Sequence, residues 1–272
     1  MRTSIARIAH ISDVHLLAPA RRSHDLTVRF LSFGRALDGP ARVRKLARAL
    51  SMARRNGADH VVVSGDLTES GTDAQFDVLA GVLEDAALDP GDVTLVPGNH
   101  DAYHAENGWR RALAGPLRPY RDAGAAEPGK IVERGDVAIL PLDVAIHQPV
   151  TRSTGRVTDD AIDRVERRLR DPAIGKRATL VVQHHPPYAH ASRAWQWVDG
   201  LSGASRLTAL LARFPHVSVM HGHLHRVADL ALGAPRSRVF GAPALVEDDE
   251  AAPSVRLYDV RDGVIESVGL AA

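Results

Sequence analysis

The chain of 272 residues is 44% hydrophobic, carries a formal net charge of +1, and contains no cysteine but 14 histidines. Its length and apolar content suffice for a full core, and the near-neutral balance argues against a protein that holds nucleic acid by bulk electrostatics, so no stable nucleic-acid partner is expected. Without cysteine there are no disulfides, no thiolate catalysis and no sulfur-ligated zinc, so any metal must be held by nitrogen and oxygen. The stretch Met1–Arg7 lacks the apolar core of a signal peptide. No run approaches the roughly 18 apolar residues that span a bilayer, so no membrane span and a cytoplasmic location are expected.

In chain order, five short apolar runs each end on a residue that can bind a metal. Ile8–Ser12 runs into Asp13-Val14-His15. The following segment is crowded with Arg21, Arg22, Arg29, Arg35, Arg42, Arg44, Lys45 and Arg48. It reads either as a solvated loop and helix or as a basic flap that draws anionic substrates inward. Val43, Leu46, Ala47 and Leu50 give one apolar helix face, after which Val61–Ser64 leads to Gly65-Asp66. Thr72 and Gln75 have capping-box spacing ahead of a helix with Phe76, Leu79, Ala80, Leu83 and Ala87 on one face.

Val93–Val96 then leads to Gly98-Asn99-His100-Asp101. Ile162, Val165 and Leu169 predict a third helix, and Leu180–Gln183 ends on His184-His185. Leu207, Leu210, Leu211 and Phe214 predict a fourth, with Ser202 or Ser205 placed to cap it. Val217–Met220 meets His221-Gly222-His223-Leu224-His225. Beyond it Val227–Leu232, Ser237–Phe240, Ser254–Val260 and Val264–Val268 read as strands joined by turns such as Asp262-Gly263.

Runs of Val, Ile and Leu between helical patterns are strands buried on both faces, and open α/β sheets collect ligands at the carboxyl ends of such strands. Alternating β and α followed by a β meander predicts an α/β, four-layer αββα sandwich of two mixed sheets flanked by helices. A single domain over 1–272 is expected, because the candidate residues run from position 13 to 225 without a linker, and the last ~45 residues are assigned to a β-rich part of the second sheet. Asp13 and His15 lie two apart, as do His223 and His225. Each pair is a weak signal alone; the recurrence at strand ends, with Gly65 and Gly98 allowing tight turns, is specific.

These blocks resemble the signature of the calcineurin-like metallophosphoesterase superfamily: D-x-H, G-D, G-N-H-[DE], H and G-H-x-H, all present from Asp13 to His225. The resemblance implies the four-layer fold and a binuclear metal centre. One ion would take Asp13, His15, Asp66 and His225; the other Asp66, Asn99, His184 and His223, with Asp66 shared. His185 competes with its neighbour His184 for that place. His100 matches the substrate-side histidine, and Asp101 the acidic residue that can orient it. Gly-Asp-Leu-Thr-Glu at 65–69 and His-His-Pro-Pro at 184–187 look most like the bacterial cyclic-nucleotide phosphodiesterase branch.

Two divalent ions can acidify a bridging water and hold the nonbridging oxygens of a phosphoester, the step that its negative charge otherwise resists. Nitrogen and oxygen ligation suits manganese, iron or zinc. A small phosphodiester, 3′,5′-cyclic nucleotides among them, is the expected substrate. The alternatives are a UDP-2,3-diacylglucosamine-type pyrophosphate hydrolase, for which no acyl-binding insertion is evident, and a binding scaffold that has lost catalysis, which would be expected to have lost ligands. Tyr188, Trp195 and Trp197 form either a hydrophobic plug or homodimer contact, or a lid that stacks a base. His185 and His221 are candidates to support the metals by hydrogen bonding. No function is assigned to the acidic stretch Glu247–Glu250.

Overall fold

The computed structural model describes residues 5–19, 26–32, 34–123, 130–134, 136–175 and 177–271. Arg21 and Arg22 of the basic segment lie outside them. The first half runs β1 (Arg7–Ile11), α1 (Leu26–Leu31), α2 (Gly39–Arg55), β2 (His60–Ser64), α3 (Asp73–Asp85), β3 (Val93–Val96), α4 (Gly108–Ala114) and α5 (Arg118–Asp122). The second continues with β4 (Val132–Arg134), β5 (Val137–Pro141), β6 (Gly155–Arg156), α6 (Asp159–Leu169), β7 (Ala178–Val182), α7 (Arg193–Asp199), β8 (Leu201–Ser202) and α8 (Ala204–Leu211). The chain closes with β9 (Val217–His221), β10 (Ala228–Leu232), β11 (Ala234–Gly241), β12 (Arg256–Arg261) and β13 (Val264–Leu270).

Two large sheets result, in the orders β13-β12-β1-β2-β3 and β10-β11-β9-β7-β5-β4. The period-two alternation of strand side chains divides each apolar run between two cores. Ile8 and Val62 enter a core between the sheets, where they meet Leu180, Val182, Met220 and Phe240. Their neighbours Ala9, Ile11, Val61 and Val63 point the other way, into a core with Leu46, Leu50, Phe76 and Leu79 of α2 and α3. Val181, Val217 and Val219 face a third core with Ile162 and Val165 of α6 and Leu207 and Leu211 of α8. Three cores separate four layers, helix–sheet–sheet–helix, as the pattern predicts.

The close of the chain corrects one expectation. Only β10 and β11 extend the second sheet; β12 and β13 belong to the first, where Tyr258 of β12 lies opposite Ile8 of β1 in an antiparallel pair. The reason is burial: Tyr258 and Ile265 fill the core between the sheets from the β1 side. Asp262-Gly263 turns β12 into β13 with both residues at positive φ, the conformation that a two-residue hairpin loop favours.

Two predicted caps form differently. Thr72 is the N-cap of α3 but makes no side-chain cap bond, because the buried amide of Gln75 turns back to accept from Ser70 N at 2.9 Å. Gly203 at φ 86°, not Ser202 or Ser205, caps α8. Among the described residues no helix is long and apolar enough to cross a membrane.

Candidate metal centre

β1, β2 and β3 run parallel, as do β7 and β9, so the segments after their carboxyl ends emerge along one edge. The backbone there is unusual. Seven non-glycine residues adopt positive φ among the described residues, and Asp13, His15, Asp66, His223 and His225 are five of them. Left-handed backbone is disfavoured for residues with a Cβ and persists where surrounding contacts enforce it, typically at functional sites. Glycine makes the close approach feasible: a Cβ at Gly98 would lie 2.1 Å from Asp66 Oδ1, and one at Gly65 2.5 Å from His184 Nδ1.

Asp13, His15, Asp66, His100, His184 and His225 come together, while His223 turns its Nε2 to Asp199. Asp66 Oδ2 lies 3.3 Å from His184 Nε2, 3.6 Å from His15 Nε2 and 3.9 Å from His100 Nε2. Asp13 Oδ1 lies 3.3 Å from His225 Nε2 and 4.0 Å from His184 Nε2. Donor atoms of Asp13, His15 and His225 sit close enough to share one cation, and so do those of Asp13, Asp66 and His184. Asp13, His15, Asp66, Asn99 and His184 are buried. Asn99 gives its Nδ2 to Tyr103 Oη at 3.0 Å, which leaves its buried Oδ1 without a protein partner. Asp13 Oδ1 and His184 Nε2 are likewise buried and unpartnered. Buried polar atoms are rarely left unsatisfied, and cations ligated by this N/O set would satisfy all three.

Three of the histidines are held by a hydrogen bond at one ring nitrogen, whereas the buried Nδ1 of His15 makes none and its Nε2 lies 3.3 Å from Arg35 Nη1. His184 Nδ1 donates to Ser64 O at 2.8 Å, and His225 Nδ1 to Glu247 Oε1 at 2.6 Å. His223 Nε2 donates to Asp199, 3.0 Å from both its carbonyl and its Oδ1. Such bonds fix the tautomer and raise the basicity of the other nitrogen, the usual support of a ligating imidazole. His184 rather than His185 stands with the carboxylates; His185 donates Nε2 to Ser153 O at 2.7 Å and packs its ring 4.1 Å from that of His223. His221 bonds the carbonyl of Gly222 through Nδ1.

Charge reinforces the geometry. Burial alone would push His184 down, but the carboxylates of Asp66 and Asp13 carry it up to about 10. His225 behaves alike, burial being outweighed by Asp13 and Glu247, and rises to about 9. Asp66 falls well below the ordinary carboxylate range, since His184, His100 and His15 outweigh its burial. His185, without an adjacent acid, is lowered well below normal by burial and by its histidine neighbours. The two carboxylates and the two histidines thus hold one another in their charged forms.

Three expectations change. Asp101 does not orient His100. Its buried carboxylate accepts from Gly98 N, Leu67 N, Thr68 N and Thr68 Oγ1 at 2.7–3.0 Å, binding together the loops that carry Asp66 and Asn99. Burial and the nearby charge of Asp66 push it up to about 7 despite those donors. His100 is oriented instead through Nδ1, which donates to Glu69 O at 2.8 Å. The flap reading of the basic segment also fails for most of its described members, whose charge is met at home. Arg35 and Arg42 ion-pair with buried Glu69, Arg44 and Arg48 with Glu250, and Lys45 Nζ donates to Val246 O. The aromatic trio divides: Tyr188 packs against the outer core of the second sheet, while Trp195 and Trp197 on α7 stay 62% and 64% exposed.

Sequence reasoning missed Glu69, Asp199 and Glu247. Glu247 is the first residue of the acidic stretch, close enough behind β11 for Val246 N to donate to Asp13 O. Asp199 gave no signal.

A sequence model of the family described as calcineurin-like phosphoesterase matches residues 6–227. The chain is similar to the 3′,5′-cyclic adenosine monophosphate phosphodiesterase CpdA of Escherichia coli K12, 28% identical over 227 residues that cover 82% of this chain and 71% of that one. It is similar also to the glycerophosphodiester phosphodiesterase GpdQ of Enterobacter lignolyticus, 29% identical over 221 residues, or 81% and 71% of the two chains. In fold it resembles a dimetal phosphatase from Danio rerio, with a TM-score of 0.73 and 13% identity over 98% of this chain and 96% of that one. The family match spans every strand-end motif from Asp13 to His225, and the chain therefore belongs to the calcineurin-like phosphoesterase family of metal-dependent phosphoester hydrolases.

Proposed function

We propose that this protein hydrolyses small phosphodiesters, 3′,5′-cyclic nucleotides among them, at a centre of two metal ions. The observation that carries the reading is the place of Asp66. Its Oδ2 lies 3.6 Å from His15 Nε2, 3.3 Å from His184 Nε2 and 3.9 Å from His100 Nε2, within reach of three imidazoles at once. One ion would be held by Asp13, His15, Asp66 and His225, the other by Asp66, Asn99, His184 and His223; manganese, iron and zinc all suit this set. Bound there, the ions would supply an acidified water and a sink for the charge of the phosphoryl oxygens.

The chain's own residues do the rest. Asp66 is kept ionised by its histidine neighbours and accepts His100 N at 2.9 Å, which fixes the loop of the reacting group. His100 is partly exposed, and with Nδ1–H committed to Glu69 O, the doubly protonated ring would give its Nε2 proton to the departing alkoxide and return to the neutral form. The similarity to CpdA and GpdQ, both named as phosphodiesterases, favours a diester over a monoester. Parallel assays of bis-p-nitrophenyl phosphate, p-nitrophenyl phosphate and cyclic AMP with Mn²⁺ added test this. Diester turnover at least ~10-fold above monoester turnover is expected, and turnover of the monoester alone would overturn it.

A further inference from the structure

Beside the candidate centre lies a cavity of about 520 Å³ that the reaction scheme does not use. That volume is in the range of small-molecule sites, roughly 300–1,000 Å³. Its lining includes Arg152, Arg156, Arg193, His147 and Trp197, and no acidic side chain. Arg156 and Arg193 make no side-chain hydrogen bond or ion pair among the described residues. Arg152 is pre-positioned: its guanidinium lies 4.5 Å above the Trp197 ring, its Nη2 donates to Trp197 O at 3.0 Å, and its buried Nε has no protein partner.

The same cavity is tied to the candidate centre by three contacts. Tyr103 Oη donates to Arg152 O at 2.8 Å while accepting from Asn99. His147 Nδ1 donates to Ala102 O at 2.9 Å, two residues beyond His100. Asp199, which adjoins the lining residue Gly200, holds His223.

We propose that this cavity is a second anion subsite, which takes a phosphomonoester carried by the substrate outside its scissile diester. The inference rests on the phosphodiesterase reading and narrows it. Guanidinium groups suit a phosphate dianion, whose oxygens they can grip in pairs, and Arg156 and Arg193 have no protein acid to compete for them among the described residues. The exposed indole of Trp197 can cover an aromatic group on the same arm. The fitting substrate class is a linear phosphodiester with a terminal phosphate, as in a 5′-phosphorylated dinucleotide.

The test compares diadenosine dinucleotide with its 5′-phosphorylated form as substrates of the Mn²⁺-loaded protein. Calorimetry of the two methylphosphonate-bridged analogues, which cannot be cleaved, runs beside it. The phosphorylated form should have a kcat/KM and an affinity each at least ~10-fold higher. In the Arg156→Ala/Arg193→Ala variant both advantages should shrink to about twofold or less, with Arg193→Lys alone retaining part of them. Equal use and equal binding of the two forms by the unaltered protein, or an advantage that survives the double substitution, overturns the subsite. Cleavage of neither dinucleotide nor bis-p-nitrophenyl phosphate removes the phosphodiesterase reading instead, and calorimetry still decides the subsite.

Discussion

At the scale of residues, the candidate centre is built from carboxylates and imidazoles, most of whose second atoms are held by hydrogen bonds. His225 is aimed at Asp13 because Glu247 holds its Nδ1. Glu247→Gln keeps the shape but weakens that hold, and such supporting changes typically cost ~10–100-fold in metal affinity. A Mn²⁺ titration should show a loss of that size, and unchanged affinity would deny Glu247 the role. His100→Ala should leave metal content near that of the unaltered protein while kcat falls by ~10²–10⁴. Joint loss of metal and rate would make His100 a ligand instead. The candidate donors were legible in the sequence because each follows a strand. The groups that hold them and His100 were not, since Ser64 O and Glu69 O act through the backbone, and Asp199 and Glu247 come close only through the fold.

Elements bring these residues together through loops that are braced rather than free. Asp101 ties the loop after β2 to the loop after β3. Glu69, buried between Arg35 and Arg42, fixes the loop after β2 against the start of α2, and Arg42 also donates to His15 O at 2.6 Å. Removing one partner of a buried ion pair leaves a charge without compensation. Arg42→Ala should therefore lower unfolding free energy by about 3 kcal/mol in urea denaturation. A change under ~0.5 kcal/mol would reduce the network to surface decoration.

The five strands that lead to candidate ligands were readable because burial on both faces demands unbroken Val, Ile and Leu. β5 (Val137–Pro141) has the same pattern and is wholly buried, yet it ends on no ligand, so a search led by ligands passed over it. The capping box failed for a different reason: Gln75 found a closer buried partner in Ser70 than the end of its own helix.

At the scale of the whole molecule, two sheets and three cores hold one edge rigid enough to keep like charges together. Asp13 and Asp66 are both buried there, and their repulsion is offset by protons on His184 and His225, which lie at about 10 and about 9. A cation ligated through those nitrogens has to expel the protons, so its binding must release them and must weaken as pH falls. Calorimetry of Mn²⁺ binding at pH 7, in buffers of different ionisation enthalpy, should report release of about two protons per chain. No release would mean that the histidines do not ligate. The layer order was visible in the alternation of β and α, whereas the return of β12 and β13 to the first sheet depends on Tyr258 and Ile265 packing between the sheets, which no local pattern encodes.

The central claim is that Asp66 is shared by two cations. Anomalous diffraction from crystals soaked in Mn²⁺ tests it most directly. Two peaks about 3.5–4 Å apart are expected, one beside His15 and His225 and the other beside His184 and Asn99, with Asp66 between them. A single peak, or two that do not both touch Asp66, would contradict the account.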